Sequence, residues 1–157
     1  IKCTTDIVLN GRKLVGILTE LGLESETNSL QYLVTGIGVN VNHTPEDFSP
    51  DIRDMAGSLA MELGHPVRRV ELAAAIIRAL DRMYRSFPQD KQRYLDQYRA
   101  DCLTQGNRVQ LVTPVSRQEA YALEIDDQFR LVVELEDGTR KALSAGEVSV
   151  RGMYGYV

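Results

Sequence analysis

Lys2 and Lys13 lie on either side of a short acidic and turn-forming stretch, with Asp6 between them. A lysine ammonium can offset an anion, and a carboxylate can orient an amine or take its proton. Gly16 interrupts an otherwise bulky run, and 36–42 reads Gly-Ile-Gly-Val-Asn-Val-Asn, bare backbone followed by amides. Glycine inside a strand marks a place where backbone or ligand comes close. Near the C-terminus, 146–152 reads Gly-Glu-Val-Ser-Val-Arg-Gly. Each feature also has a plain explanation. A lysine beside a turn is ordinarily a solvated charge, and Gly-x-Gly in a strand is ordinarily a bulge. Asp6 beside Asn10 could simply cap a turn, and Glu147 with Arg151 could be a local ion pair of little worth.

Local signals define the elements that must carry these residues. Asn10-Gly11 between two apolar runs predicts a type I′ hairpin over 7–20. Its second arm is apolar on both faces, which predicts a strand inside a covered sheet. The stretch 22–29 is polar and acidic, a loop or hairpin tip, and 31–41 is the next strand. Ser49-Pro50-Asp51 predicts a helix start, with Ile52, Met55, Ala56, Leu59, Ala60 and Leu63 as its stripe and Gly64 as its stop. A second helix carries Ala73, Ile76, Ile77, Leu80, Met83, Tyr84 and Phe87 on one face. Pro88 ends it, and a third helix follows with Tyr94, Leu95, Tyr98 and Cys102. After Gly106 the apolar period drops from helical to alternating. Segments 108–112, 120–125, 130–135, 139–143 and 148–150 predict short strands of a small SH3-type barrel. The expected division is 1–104 and 105–157.

Composition narrows the class. A net charge of −4 argues against nucleic acid as the main partner of this portion. No stretch nears the roughly 20 apolar residues of a membrane span, and the reading is of a cytoplasmic protein. Cys3 and Cys102 are far apart, and His43 and His65 lack companions at ligand spacing, so neither a disulfide framework nor a metal site is expected. The chain opens on Ile1, mid-domain in character, and is expected to be part of a longer protein.

Taken in order, these motifs resemble the biotin–protein ligase family. The segment IKCTTDIVLNGRKLVGILTE is similar to the family's KWPNDI…G+K+aGIL.E stretch. The resemblance runs on through GIGVNVN, DIRDMAGSLAMELG and YRADCLTQGNRV to ALSAGEVSVRG. It implies an α+β fold: part of a mixed sheet with helices, as in class II aminoacyl-tRNA synthetases, followed by an SH3-like barrel. The implied reaction joins biotin to ATP, with Mg²⁺ arriving on the nucleotide, and passes the biotinyl group to a lysine of a biotin carrier domain. Lys13 matches the lysine that reaches the biotin carboxylate and the adenylate. Gly16 and Ile17 match the GIL stretch, where backbone meets ligand. Gly38 and Asn40 match the family's residues near nucleotide and phosphates. Asp6, with Lys2, matches the ends of KWPND, and the acid would orient the incoming lysine or take its proton.

The sequence also departs from the family. Cys3, Thr4 and Thr5 stand where the motif has Trp, Pro and Asn. In the barrel's G.A.GID..G.L pattern, Ala120, Glu124 and Phe129 replace glycines, while Ile125, Asp126 and Leu131 persist. The Gly/Arg-rich GRGR.G loop that wraps the adenylate does not occur. The chain alone is therefore expected to bind biotin weakly and not to catalyse. Two other readings stay open: a non-catalytic module that docks a carrier domain or dimerises, and a relative of lipoate ligases. A homodimer through the central sheet is also compatible with the resemblance.

Overall fold

The computed structural model describes all residues except 3, 4, 25, 26, 28, 114, 145–148 and 153–157. It is an α+β structure with two antiparallel sheets. The first has the order β1-β2-β3, formed by β1 (Asp6–Leu9), β2 (Arg12–Leu23) and β3 (Leu30–Val39). Asn10 and Gly11 turn the chain between β1 and β2 with φ of 49° and 75°, as a type I′ turn requires. β2 runs on to Leu23 and pairs antiparallel with β3, so the stretch expected to be a loop or hairpin tip is a hairpin tip, shorter by two residues at its start.

This sheet is not covered throughout. Its inner end is packed, with Val8 and Leu14 buried. Leu18 and Leu21 on β2, and Leu30, Tyr32, Leu33 and Val34 on β3, are each more than half exposed. The expectation of a fully covered strand fails because, among the described residues, no helix packs over this half.

The helix expected from Ser49 is also shorter. A 3₁₀ turn at Pro45–Asp47 and a series of turns lead to α1, which spans only Leu59–Leu63. The helical spacing of Ile52, Met55 and Ala56 is overridden by pairing with a strand. Lys13 N donates to Met55 O at 2.8 Å, and Gly57 N donates to Lys13 O at 3.0 Å. Ser58, fully buried, caps α1 by accepting from Met61 N, and Gly64 ends it at φ 74°.

α2 (Arg69–Ser86) and α3 (Lys91–Asp101) follow. The apolar stripe of α2 is largely exposed, Ile77 at 63% and Tyr84 at 84%. α3 buries Leu95, which joins Cys102 in one core with Val109, Ala122, Ile125, Leu131 and Val133 of the second sheet. Arg99 fastens α3 there, donating from Nε to Ile125 O at 2.8 Å.

The second sheet has the order β7-β6-β5-β4-β8. Its strands are β4 (Arg108–Val112), β5 (Arg117–Ile125), β6 (Leu131–Leu135), β7 (Arg140–Leu143) and β8 (Ser149–Gly152). The strand segments match the alternation in the sequence, but no pairing joins β7 to β8 among the described residues, so a closed barrel is not seen. Residues 146–148 of the 146–152 motif lie outside the described residues, and Ser149–Gly152 form β8. No helix among those described is long and apolar enough to cross a membrane.

Candidate functional site

The site is built around a defect in the β1–β2 ladder. Ile7 pairs with Val15 and Val8 with Lys13, so Leu14 is an extra residue on β2. In a regular strand, residues three apart face opposite sides. The bulge removes that offset, and Lys13 emerges on the same face as Gly16. Bulges commonly re-aim a side chain in this way.

Across the sheet, Asp6, Gly16 and Gly38 are directly opposite one another. Lys13 lies along this bare row. A Cβ on Gly16 would sit 3.3 Å from Lys13 Cε. The ammonium ends 2.6 Å from Asp6 Oδ1, with the lysine side chain 34% and the acid 17% exposed. Gly16 thus makes room for a side chain of its own strand as well as baring backbone.

The main chain of Lys13 is held equally firmly. Besides the Met55 and Gly57 bonds, Asn40 Nδ2 reaches Lys13 O at 3.5 Å. Asn40 is fixed in turn: its N–H donates to Leu14 O and its carbonyl accepts from Leu59 N, both at 2.9 Å. Lys2 pairs with Asp6 through backbone bonds in both directions, 2.9 and 3.2 Å. Ile17 N donates to Thr5 O at 2.8 Å. These bonds tie the corner that lacks the motif's Trp and Pro; Cys3 and Thr4 fall outside the described residues.

Two hollows meet at Lys13. One, of about 300 Å³, is lined by Lys13, Gly16, Gly38 and Asn40 with an apolar wall that includes Phe48, Ile52 and Met55. His43 packs on the Phe48 ring with centroids 5.5 Å apart. The other, more open, is lined by Lys13, Gly16 and Gly38 with Thr5, Asp6 and Ile17 among its other walls. Lys13, Gly16, Gly38, Asn40, Asp6 and Ile17 are therefore brought together. Lys2 supports the corner through its backbone and lines neither hollow. Phe48, Ile52, Met55 and Thr5 were not singled out as site residues in the sequence; Ile52 and Met55 carry only the signal of apolar spacing, and Phe48 carries none. No group of three or more His, Cys, Asp or Glu among the described residues could hold a metal.

Geometrically, this is a cleft where one cation stands between an apolar lobe and an open lobe. The overall fold is that of solved biotin protein ligases. The apo enzyme from Aquifex aeolicus superposes with a TM-score of 0.79 over 97% of this chain and 64% of that one, at 21% identity. The same enzyme in complex with biotin and ATP gives 0.77 over 97% and 61%, at 22% identity. No family model matches the sequence.

The chain is also similar in sequence to named ligases. The chain is 32% identical over 146 residues to the bifunctional ligase/repressor BirA of Bacillus subtilis, covering 92% of this chain and 44% of that protein. It is 30% identical over 149 residues to the biotin–[acetyl-CoA-carboxylase] ligase of Mycobacterium tuberculosis, covering 94% and 52%. The chain is a relative of the biotin–protein ligases, and it spans about half the length of the curated relatives it matches.

Proposed function

We propose that this sequence is the C-terminal portion of a biotin–protein ligase, with its site at the Lys13 cleft. The ligase joins the biotin carboxylate to the α-phosphate of ATP, releasing pyrophosphate. The acyl group then passes to the amine of one lysine in a biotin carboxyl carrier domain, releasing AMP. The division at 104/105 is part of this reading, and so is an SH3-like second domain.

The observation that carries the proposal is the position of the Lys13 ammonium where the two hollows meet. Two anions must approach each other for the first step, and their repulsion grows as the new bond forms. A cation already fixed in place offsets that charge without having to reorganise. The Phe48, Ile52 and Met55 wall suits the flat faces of an adenine base, and Asn40 stands at the phosphate side. The open lobe, floored by Gly16, Gly38 and Ile17, takes biotin. Mg²⁺ would arrive with the nucleotide and keep several of its waters, one of which the Asn40 amide would hold.

Asp6 has a second task. Its Oδ1 receives Lys13. Its carboxylate also faces the lobe through which an acceptor lysine enters, where it orients that amine and takes its proton. The exposed outer half of the first sheet, with β3 as an edge strand, supports a homodimer formed there.

The GRGR.G loop is absent from this sequence, so the isolated chain holds half a site and should bind biotin only weakly. The intact ligase is the test. It should label one lysine of a carrier domain only when both ATP and biotin are present. Labelling with lipoate in place of biotin, or no labelling at all beside an active control ligase, would overturn the proposal.

A further inference from the structure

Thr5 sits at the mouth of the open lobe, beside the acid that holds Lys13. Its backbone is pinned to β2 by the bond from Ile17 N, and Asp6 is pinned by the two bonds to Lys2. The hydroxyl therefore has a defined place, and Thr5 Oγ1 donates to Asp6 Oδ1 at 3.3 Å. That oxygen is the one that receives Lys13 Nζ at 2.6 Å. One carboxylate oxygen thus collects a neutral donor and an ammonium from two sides.

A lysine stem has four rotatable bonds, so a single partner leaves the ammonium free to swing. A carboxylate held by a second donor cannot rotate with it. We infer that Thr5 is a positioning residue: its hydroxyl orients the Asp6 carboxylate, and through it keeps the Lys13 ammonium turned to the junction of the two lobes. The role is specific to a hydroxyl at this position. It rests on the ligase reading only for its effect on turnover.

The test is a double-mutant cycle of Thr5→Val and Asp6→Asn, with two readouts. The first needs no enzyme activity: the rate at which acetic anhydride modifies Lys13 in this chain, followed by mass spectrometry. Releasing the ammonium should speed its modification. Thr5→Val should raise the rate about threefold, near the lower end of what losing an ordinary intramolecular hydrogen bond costs, since the bond is long and exposed. Asp6→Asn should raise it further, and the double variant should match Asp6→Asn alone. Thr5→Ser, which keeps the hydroxyl, should behave as wild type.

The second readout is adenylate formation by the intact ligase. Thr5→Val should lower kcat by about threefold and leave KM for biotin unchanged, with Thr5→Ser restoring it. A Thr5→Val rate of Lys13 modification equal to wild type, or effects that multiply in the double variant, would overturn the positioning role. A cycle that behaves as expected in a protein making no adenylate would instead retain Thr5's role and sink the ligase reading.

Discussion

Lys13 Nζ lies 2.6 Å from Asp6 Oδ1 because the bulge at Leu14 turns the lysine onto the acid's face of the sheet. The pair is partly exposed, 34% and 17%, and an ion pair of that kind contributes about 0–1 kcal/mol to stability. Its value lies in placing a cation. Changes at this site should therefore alter chemistry much more than folding.

Gly16→Ala is the sharpest example. The new methyl would meet Lys13 Cε at 3.3 Å and Nζ at 3.4 Å, both at the far end of a flexible chain. The lysine can swing aside at little cost to the fold. Removing a glycine also reduces the entropy of the unfolded chain, which offsets about 0.4–1 kcal/mol where the backbone permits. Thermal melting should show stability unchanged or slightly raised. On the proposed role of Lys13, adenylate formation by the intact ligase should fall about tenfold, since a small displacement of the charge-stabilising group is costly. Equal losses in melting temperature and activity would count against this picture.

Asp6→Asn preserves shape and removes the charge. Adenylation should slow, because Lys13 loses its anchor. Under the proposed second task of Asp6, transfer from preformed biotinyl-5′-AMP should slow more, because the acceptor amine would also lose its base. Rapid-quench measurements of the two half-reactions separate them. Equal slowing of both steps would exclude Asp6 from the transfer step.

These expectations depend on features with very different visibility in the sequence. Asn10-Gly11 set the first hairpin locally, and the alternation at 108–112 and 130–135 is enough to place β4 (Arg108–Val112) and β6 (Leu131–Leu135). The bulge at Leu14 left no such trace, since it arises from pairing between strands. The run Ile52, Met55, Ala56 carries a helical period, yet Met55 and Gly57 bond to Lys13 instead. A non-local pairing outweighed local spacing there and turned presumed core residues into cleft wall. The stripe on α2 was correctly read as apolar and helical. Its exposure could not be read, because burial depends on neighbours rather than on period.

The second sheet makes a prediction independent of the cleft. Asp126 Oδ1 accepts from Gln128 N and Arg130 N, both at 2.9 Å, and Oδ2 accepts from Arg130 Nε at 2.7 Å. Burial pushes this carboxyl up, but the bonds from Arg130 and Gln128 together outweigh it and hold it below the ordinary 3.8. A carboxylate lowered by folding stabilises the fold above its unfolded value and loses that effect as pH falls through its folded value. Asp126→Asn should therefore be less stable than wild type near neutrality. In denaturant titrations the gap should close as the pH drops below 3.8. A gap of constant size throughout acid would show that charge at Asp126 is not what matters.

The most direct measurement of the central claim is single-turnover adenylate formation by the intact ligase carrying Lys13→Ala, read as pyrophosphate release. Loss of a preorganised charge-stabilising group costs about 10²–10³-fold in such steps, and a fall of that size, with melting temperature unchanged, is the expected result. A rate within about threefold of wild type, less than losing a single hydrogen bond to a charged group can cost, would contradict the assignment of Lys13 as the cation that brings the two anions together.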